Sequence, residues 1–333
     1  MINVAINGFG RIGRLVLRAA LKERKIKVMA INDLTTPETL AYLFKHDSIH
    51  RQFEGKVSSA NDSIIVNNKK IRVFAENEPE KLPWRAMKID VVVESTGAFR
   101  TKEAALKHVK AGAGKVIISA PPKGNEKIKT IVMGVNHDTY DNEAIVSNAS
   151  CTTNCFAPMA KIINDNYKII DGVMTTIHSY TNDQRILDGP HKDLRRSRAA
   201  ALNIVPTSTG AAESIGEVIP ALKGKIIGSA IRVPTPNASL CHFVAELEGK
   251  LGKCITEDIN ALFKKQASKK YKGIVEYSEE PLVSTDVIGN PNSCIFDSKL
   301  TTCVGNDLIV VGWYDNEWGY SNRMVDIIKL IAK

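Results

Sequence analysis

The sequence predicts an α/β chain in two parts: a doubly wound domain built on a mostly parallel sheet, then an α+β domain whose sheet is mainly antiparallel. Three observations lead there. In the first half, short apolar runs alternate with stretches of helical periodicity. In the second half, strand-like runs are longer and follow one another. The chain has 333 residues, more than one hydrophobic core usually organises.

Taken in order, "INVAING" reads as a first strand. "RIGRLVLRAALKE" follows as a helix, with Ile12, Leu15, Val16 and Ala19 on one face. "KVMAIND" is the second strand, and "IIVN", "IRVFAE", "DVVVEST", "KVIISAP" and "TIVMGVN" are further candidates. "TKEAALKHVKAG" is the clearest helix between them. "EAIVSNAS" reads as strand and turn, and a helix "CTTNCFAPMAKIINDNY" opens just after it. In the second half "GVMTTIHSYT", "AIRVPTPNASLCHFVAELEG" and "LIVVGWYDNE" read as strands, and "STGAAESIGEVIPALK" and "TEDINALFKKQASKK" as helices. "GYSNRMVDIIKLIAK" is a terminal helix. The expected boundaries are 1–150 for the first domain and 151–316 for the second.

Composition narrows the function classes. Hydrophobic residues make up 44% and charged residues 24%, the proportions of an ordinary soluble protein. No apolar run is long enough to span a bilayer. "MINVAINGFG" has no basic segment followed by an apolar one, so no secretory signal is expected. Six cysteines are too sparse for a disulfide scaffold, and reduced thiols in the cytoplasm are the expectation. The net charge is +9, but the basic residues are spread along the chain. The densest runs, "RRSR" (195–198) and "KKQASKKYK" (264–272), are not interleaved with aromatics, so nucleic acid is not required as a partner.

The glycine turn carries the first chemistry. "NGFGRIG" places Gly8, Gly10 and Gly13 in the pattern GxGxxG between a strand and a helix, and the next strand ends in Asp33. Gly8 permits the tight turn, Gly10 lets a pyrophosphate approach the backbone, and Gly13 lets helix and strand pack closely. The helix N-terminus offers free N–H groups to phosphate. The Asp33 carboxylate accepts ribose hydroxyls and repels a 2′-phosphate, which favours NAD over NADP. The first domain is therefore expected to be a Rossmann-type dinucleotide-binding domain.

"SNASCTTNC" carries the second. Cys151 and Cys155 lack a second Cys/His pair to complete a metal site, and no metal is expected. Cys155 falls with Phe156, Met159, Ala160 and Ile163 on an apolar helical stripe and reads as a packed thiol. Cys151 falls at a helix N-terminus, where the dipole and free N–H groups lower a thiol pKa and stabilise an oxyanion. Pro158, inside the same helix, is expected to bend or weaken it. His178, on a strand of the same half, is a candidate base, although spacing alone puts it only slightly ahead of His191 and His242. A nucleophilic thiol beside a dinucleotide domain points to aldehyde oxidation through an acyl-enzyme, because thiol addition creates the species that can release a hydride.

"INGFGRIGR", "SNASCTTNC", "HSYTNDQ", "HKDLRR.RAAA", "VPT.TGAA", "RVPTPN" and "WYDNEWGYS" together resemble the phosphorylating glyceraldehyde-3-phosphate dehydrogenase family, in order and over essentially the whole chain. The resemblance implies Cys151 as the catalytic thiolate and His178 as its base or acid. It implies dinucleotide contacts at Asn7, Gly8, Gly10, Arg11, Ile12 and Asp33, and along the cofactor groove at Thr96, Gly97 and Ser119. Asn316 matches a residue that bonds the nicotinamide amide, and Tyr320 one that packs near the ring. Ser150, Thr152, Thr209 and Gly210 match one anion site, and Thr181 and Arg232 the other. The resemblance further implies glyceraldehyde 3-phosphate and inorganic phosphate as substrates, 1,3-bisphosphoglycerate as product, and a homotetramer. It implies an S-shaped loop at about 180–203 and a terminal helix, 317–333, packed back on the first domain.

Three positions depart from the family pattern. Gly189 stands where leucine is usual and opens space beside the adenosine ribose. Asn77 replaces a common arginine, and Arg51 replaces a usual glycine. The nearest rival is erythrose-4-phosphate dehydrogenase, which shares the chemistry but carries "HSAMHDQ" around the base, whereas this chain has "HSYTNDQ". A cysteine hydrolase would leave the glycine turn and Asp33 idle. A pure binding protein is permitted by the basic surface and demanded by nothing in the sequence.

Overall fold

The computed structural model describes residues 1–249 and 255–332. Contacts divide the chain into two compact units. The first comprises Met1–Ile131, Asp138–Ala149 and the chain from Ser321. The second comprises Val132–His137 and Ser150–Tyr320. The segment Val132–His137, which the sequence leaves in the first domain, belongs with the second because Gly134 sits against Ile274 and Tyr271.

The first unit is built on nine strands: β1 (Ile2–Asn7), β2 (Ile26–Asn32), β3 (Val57–Ala60), β4 (Ser63–Val66), β5 (Lys69–Phe74), β6 (Val91–Glu94), β7 (Lys115–Ile118), β8 (Lys129–Thr130) and β9 (Ile145–Ser147). Their order is β3-β4-β5-β2-β1-β6-β7-β9-β8. The pairs from β5 through β8 are parallel, and only the β3–β4–β5 edge is antiparallel. Val4, Ala5 and Ile6 of β1 are all buried, as a strand covered on both faces requires. The order reverses between β1 and β6, which opens a crevice at the carboxyl ends of those strands.

Helix α1 (Arg11–Ala20) buries Leu15, Val16, Leu17 and Ala19. Helix α2 (Pro37–Lys45) starts at Thr36, whose hydroxyl accepts the Thr39 N–H, with Pro37 at the first position. Helix α3 (Lys102–Lys110) is capped in the same way by Thr101. Of "TIVMGVN" only Thr130 is strand, at the end of β8, because the chain then turns at Gly134 with φ +81°.

The second unit contains α4 (Cys151–Tyr167), α5 (Ala211–Val218) and α6 (Ile255–Ser268) around a second sheet. Its strands are β10 (Ile169–Ser179), β11 (Val205–Thr207), β12 (Ile226–Val233), β13 (Ser239–Leu247), β14 (Val275–Ser278), β15 (Cys294–Asp297), β16 (Thr302–Val304) and β17 (Asp307–Tyr314). The order is β11-β12-β10-β13-β17-β15-β14, with β16 on β17. Five pairs are antiparallel; β10–β12 and β14–β15 are parallel. The single run "AIRVPTPNASLCHFVAELEG" is two strands, broken at Pro234 and Pro236, which cannot donate to a ladder.

Pro158 does not break α4, which continues for 17 residues. Its apolar face, Phe156, Met159, Ala160 and Ile163, is fully buried, and that burial offsets the missing N–H. Helix α7 (Trp318–Ile331) ends in the first unit, where Lys329 bonds Glu23 at 3.0 Å and Ile331 O lies 3.5 Å from the Tyr140 hydroxyl. Among the described residues no helix is long and apolar enough to cross a membrane.

Candidate active site

The crevice of the first unit has a volume of about 450 Å³ and is lined by Asn7, Gly8, Gly10, Asp33, Asn77 and Thr96, among others. Gly8 has φ +88°, and a Cβ there would stand 2.7 Å from the Thr96 nitrogen. A Cβ on Gly13 would fall 2.2 Å from Gly8 O, so helix and strand meet there as the spacing predicts. At Gly10 the space is different: a Cβ would meet nothing within 4 Å, which leaves the backbone at the start of α1 open to a ligand. Asp33 follows β2 and accepts the Phe9 N–H through Oδ2 at 2.6 Å, which fixes its carboxylate at the crevice edge. These features suit an adenine dinucleotide: an open N–H cradle for pyrophosphate and a carboxylate for ribose.

Other members of the sequence-derived set are placed less directly. The Arg11 guanidinium pairs with Asp47 Oδ2 at 2.7 Å, and Ile12 is half-buried beside it on α1. Thr96 and Gly97 are exposed just past β6. Ser119 follows β7 and donates its N–H to Glu94 O at 2.9 Å. Asn7 is almost entirely buried under the crevice floor. Asn32, Leu34, Glu76, Ser95, Ala98 and Phe99 also line the crevice and were not among the expected residues. Their signal is positional, since they lie at or just past the carboxyl ends of β2, β5 and β6.

In the second unit, Ser150 caps α4: its Oγ accepts the Thr153 N–H at 3.0 Å, and Cys151 is the first helical residue. Ala149, just before the cap, has φ +53°. His178 lies on β10 and is 4% exposed. Its Nε2 is 3.4 Å from Cys151 Sγ. Its Nδ1 is 2.7 Å from Ser179 O, and Nε2 is the ring nitrogen that faces sulfur. Arg232 stands opposite His178 in the parallel β10–β12 register. Its Nη1 donates to Ser179 O at 2.9 Å and lies 2.8 Å from Nδ1. Burial and the Arg232 guanidinium lower the His178 pKa to about 3. Burial also pushes the Cys151 thiol up to about 11, although Arg232 and the Thr152 N–H pull the other way. The expected depression of the thiol by the helix N-terminus is thus outweighed by desolvation. The resting pair is a thiol beside a neutral imidazole, with Nε2 3.4 Å from sulfur.

Several anion-site candidates are engaged within the protein. The Thr152 hydroxyl is 2.9 Å from the Tyr314 hydroxyl, which is also 2.9 Å from that of Thr176. Ser150 is the α4 cap. Thr209 Oγ1 accepts the Ala211 N–H at 3.2 Å, and Gly210 caps α5, where a Cβ would meet nothing within 4 Å. Thr181 is half-buried two residues past β10. Asn316 Oδ1 accepts the hydroxyls of Ser179 and Ser239 at 2.9 and 3.0 Å, which fixes the orientation of its amide. Tyr320 is buried. Tyr314 and Ser179 fall inside the motifs "WYDNEWGYS" and "HSYTNDQ" but were assigned no role there, and Ser239 carried no signal. Cys151, Cys155, Cys241, Cys294 and Cys303 are free thiols. The basic runs are partly neutralised: Arg196 pairs with Asp183, Arg198 with Asp188 at 2.9 Å, and Lys264 with Glu279 at 2.8 Å.

A doubly wound unit with a glycine-turn crevice, joined to an α+β unit that carries a thiol–imidazole pair, defines an NAD-dependent oxidoreductase. Two family descriptions match the chain: "Glyceraldehyde 3-phosphate dehydrogenase, NAD binding domain" over residues 2–102, and "Glyceraldehyde 3-phosphate dehydrogenase, C-terminal domain" over residues 150–316. The chain belongs to the glyceraldehyde-3-phosphate dehydrogenase family. The glyceraldehyde-3-phosphate dehydrogenase of Geobacillus stearothermophilus is 55% identical to it, over 99% of this chain and 98% of that protein. Glyceraldehyde-3-phosphate dehydrogenase 1 of Bacillus subtilis (strain 168) is 54% identical, over 100% of this chain and 98% of that protein. The glyceraldehyde-3-phosphate dehydrogenase of Priestia megaterium (strain DSM 319 / IMG 1521) is 53% identical, over 99% of this chain and 98% of that protein.

Proposed function

We propose that this chain performs the glycolytic oxidation and phosphorylation of D-glyceraldehyde 3-phosphate to 1,3-bisphosphoglycerate in the cytoplasm, as a homotetramer. The observation that carries the reading is the 3.4 Å approach of Cys151 Sγ to His178 Nε2 at the start of α4. As Sγ adds to the aldehyde carbon, its proton passes to Nε2, and the carbonyl oxygen develops charge near the free N–H groups of the helix terminus. Nε2–H then returns that proton to the oxyanion, which completes a hemithioacetal hydroxyl, and the neutral Nε2 takes the hydroxyl proton as C1 is oxidised. When bound, NAD supplies the hydride acceptor. Inorganic phosphate then attacks the Cys151 thioester. The C–S bond breaks, and sulfur regains a proton from the His178 imidazolium.

In this reading Arg232 and Thr181 hold one phosphate, and Ser150, Thr152, Thr209 and Gly210 frame the other. The Arg232 guanidinium supplies directed N–H donors to phosphate oxygens. The internal bonds of Ser150 and Thr152 leave backbone N–H groups and second lone pairs as their contribution. Asn7, Gly8, Gly10, Arg11, Ile12, Asp33, Thr96, Gly97 and Ser119 serve the dinucleotide, with Asn316 and Tyr320 at its nicotinamide end.

The test is NAD reduction with glyceraldehyde 3-phosphate at graded phosphate concentrations, for wild type and Cys151→Ser. Phosphate-dependent turnover that is lost in the variant supports the reading. Turnover that is indifferent to phosphate, or that survives the substitution, overturns it.

A further inference from the structure

Beneath the crevice floor lies a buried polar chain that none of these steps uses. The Trp84 indole N–H donates to His108 Nδ1 at 3.0 Å. An indole only donates, so Nδ1 carries no proton and the ring proton is on Nε2. That Nε2–H donates to Glu94 Oε2 at 3.1 Å. The same oxygen accepts Asn7 Nδ2 at 2.5 Å, and Asn7 Oδ1 accepts Asn32 Nδ2 at 2.7 Å. The other oxygen, Oε1, accepts the Thr96 N–H at 2.8 Å and the Thr96 hydroxyl. Thr96 Oγ1 in turn accepts the Ala98 N–H at 3.0 Å. Trp84 and His108 are 0% exposed and Glu94 is 1% exposed.

The chain has a direction. An acceptor-only carboxylate in the middle forces every group around it to present a donor. Asn7 must therefore point its NH₂ at Glu94 and its oxygen at Asn32, and Thr96 must turn both N–H and O–H inward. Asn7, Asn32, Thr96 and Ala98 line the crevice, whereas Trp84, His108 and Glu94 do not. We propose that Trp84, His108 and Glu94 are positioning residues that set which polar faces the crevice offers to the dinucleotide, so that cofactor affinity depends on a tryptophan that does not line its site. This rests on the crevice being the NAD site.

The test compares Trp84→Phe, His108→Leu and His108→Gln with wild type, by calorimetric titration of NAD, thermal melting and initial rates. Trp84→Phe leaves Nδ1 without its donor, and His108→Leu leaves Glu94 short of one. Each is expected to weaken NAD binding by about three- to tenfold, from the loss of a buried hydrogen bond of about 1 kcal/mol. KM for NAD should rise in parallel, with kcat at saturating NAD and KM for the aldehyde within about twofold. Glutamine carries both a donor and an acceptor, so His108→Gln is expected to restore most of the affinity. Lower melting temperatures with an unchanged Kd for NAD in Trp84→Phe would show a purely structural network and overturn the proposal. That readout stands even if His108→Leu fails to fold. Absence of NAD binding by wild type would overturn the crevice reading itself, and the proposal with it.

Discussion

Asp33→Asn tests the group proposed here to favour NAD over NADP. Asparagine keeps the shape, and its carbonyl still accepts the Phe9 N–H that holds Asp33 at 2.6 Å, so the crevice edge should stay in place. What changes is charge. A hydrogen bond from a ribose hydroxyl to a carboxylate is worth about 1.5–3 kcal/mol, and weakening it raises KM for NAD by about tenfold or more. For NADP the carboxylate is repulsive. A unit charge about 4 Å away costs about 4 kcal/mol at an effective dielectric of 20 and about 1 kcal/mol in water. Asp33 is half-buried, so about 2 kcal/mol is the appropriate scale. The two effects add to about 4 kcal/mol, and the ratio of kcat/KM for NAD over NADP should collapse by about a thousandfold. The assay is the initial rate of nicotinamide reduction with each cofactor at saturating aldehyde and phosphate. A ratio that moves by less than about threefold would refute the assignment of Asp33 to the ribose.

Other residues give equally direct expectations. His178→Asn should lower kcat by about a hundredfold to ten-thousandfold, the usual weight of a positioned base, with KM for NAD little changed. It should also flatten the acid limb of the stability curve. The folded His178 pKa of about 3 lies below the unfolded value, so the unfolded chain binds more protons, and stability is lost as pH falls from about 6.5 toward 3. Denaturant melts at stepped pH should show the variant losing about 1 kcal/mol less per pH unit in that window; parallel curves would contradict it. Tyr314→Phe removes the hydroxyl between Thr152 and Thr176 and should cost about 1–3 kcal/mol of stability, read as a shift in the denaturant midpoint. Arg51 has φ +63°, so Arg51→Gly should raise stability by up to about 1 kcal/mol, read as a small rise in melting temperature.

That last position shows what a sequence carries and what it hides. Arg51 stands where the resemblance leads one to expect glycine, and a reason to prefer glycine there appears only in the backbone, which is left-handed. The glycine turn was legible because its demands are local: Gly8, Gly10, Gly13 and Asp33 act within one strand–helix–strand unit. The position of Cys151 at the start of α4 was legible for the same reason, through the Ser150 cap and the apolar stripe behind it. Helix α2 carried its own signal in "TPETL", a cap followed by proline, yet its partial hydrophobic face was too short to stand out. The partnership of His178 with Arg232 was not legible, because a parallel register between β10 and β12 sets it across 54 positions. The Trp84–His108–Glu94 chain was hidden differently. Its members sit in apolar or ordinary helical surroundings, and nothing in "DVVVEST" or "ALKHVK" announces that two polar side chains will meet in the core. Burial also reversed one expectation from local chemistry: the helix N-terminus favours a thiolate at Cys151, and desolvation outweighs it.

In the proposed reaction Cys151 carries the acyl group between oxidation and phosphorylation. The most direct measurement mixes the protein with glyceraldehyde 3-phosphate and NAD without inorganic phosphate, follows the nicotinamide absorbance, and maps the quenched protein by peptide mass. The expected result is a burst of about one reduced nicotinamide per chain, then a stall, with a phosphoglyceryl adduct on the Cys151 peptide that phosphate releases. A burst with the adduct on another residue, or steady turnover with no adduct, would contradict it.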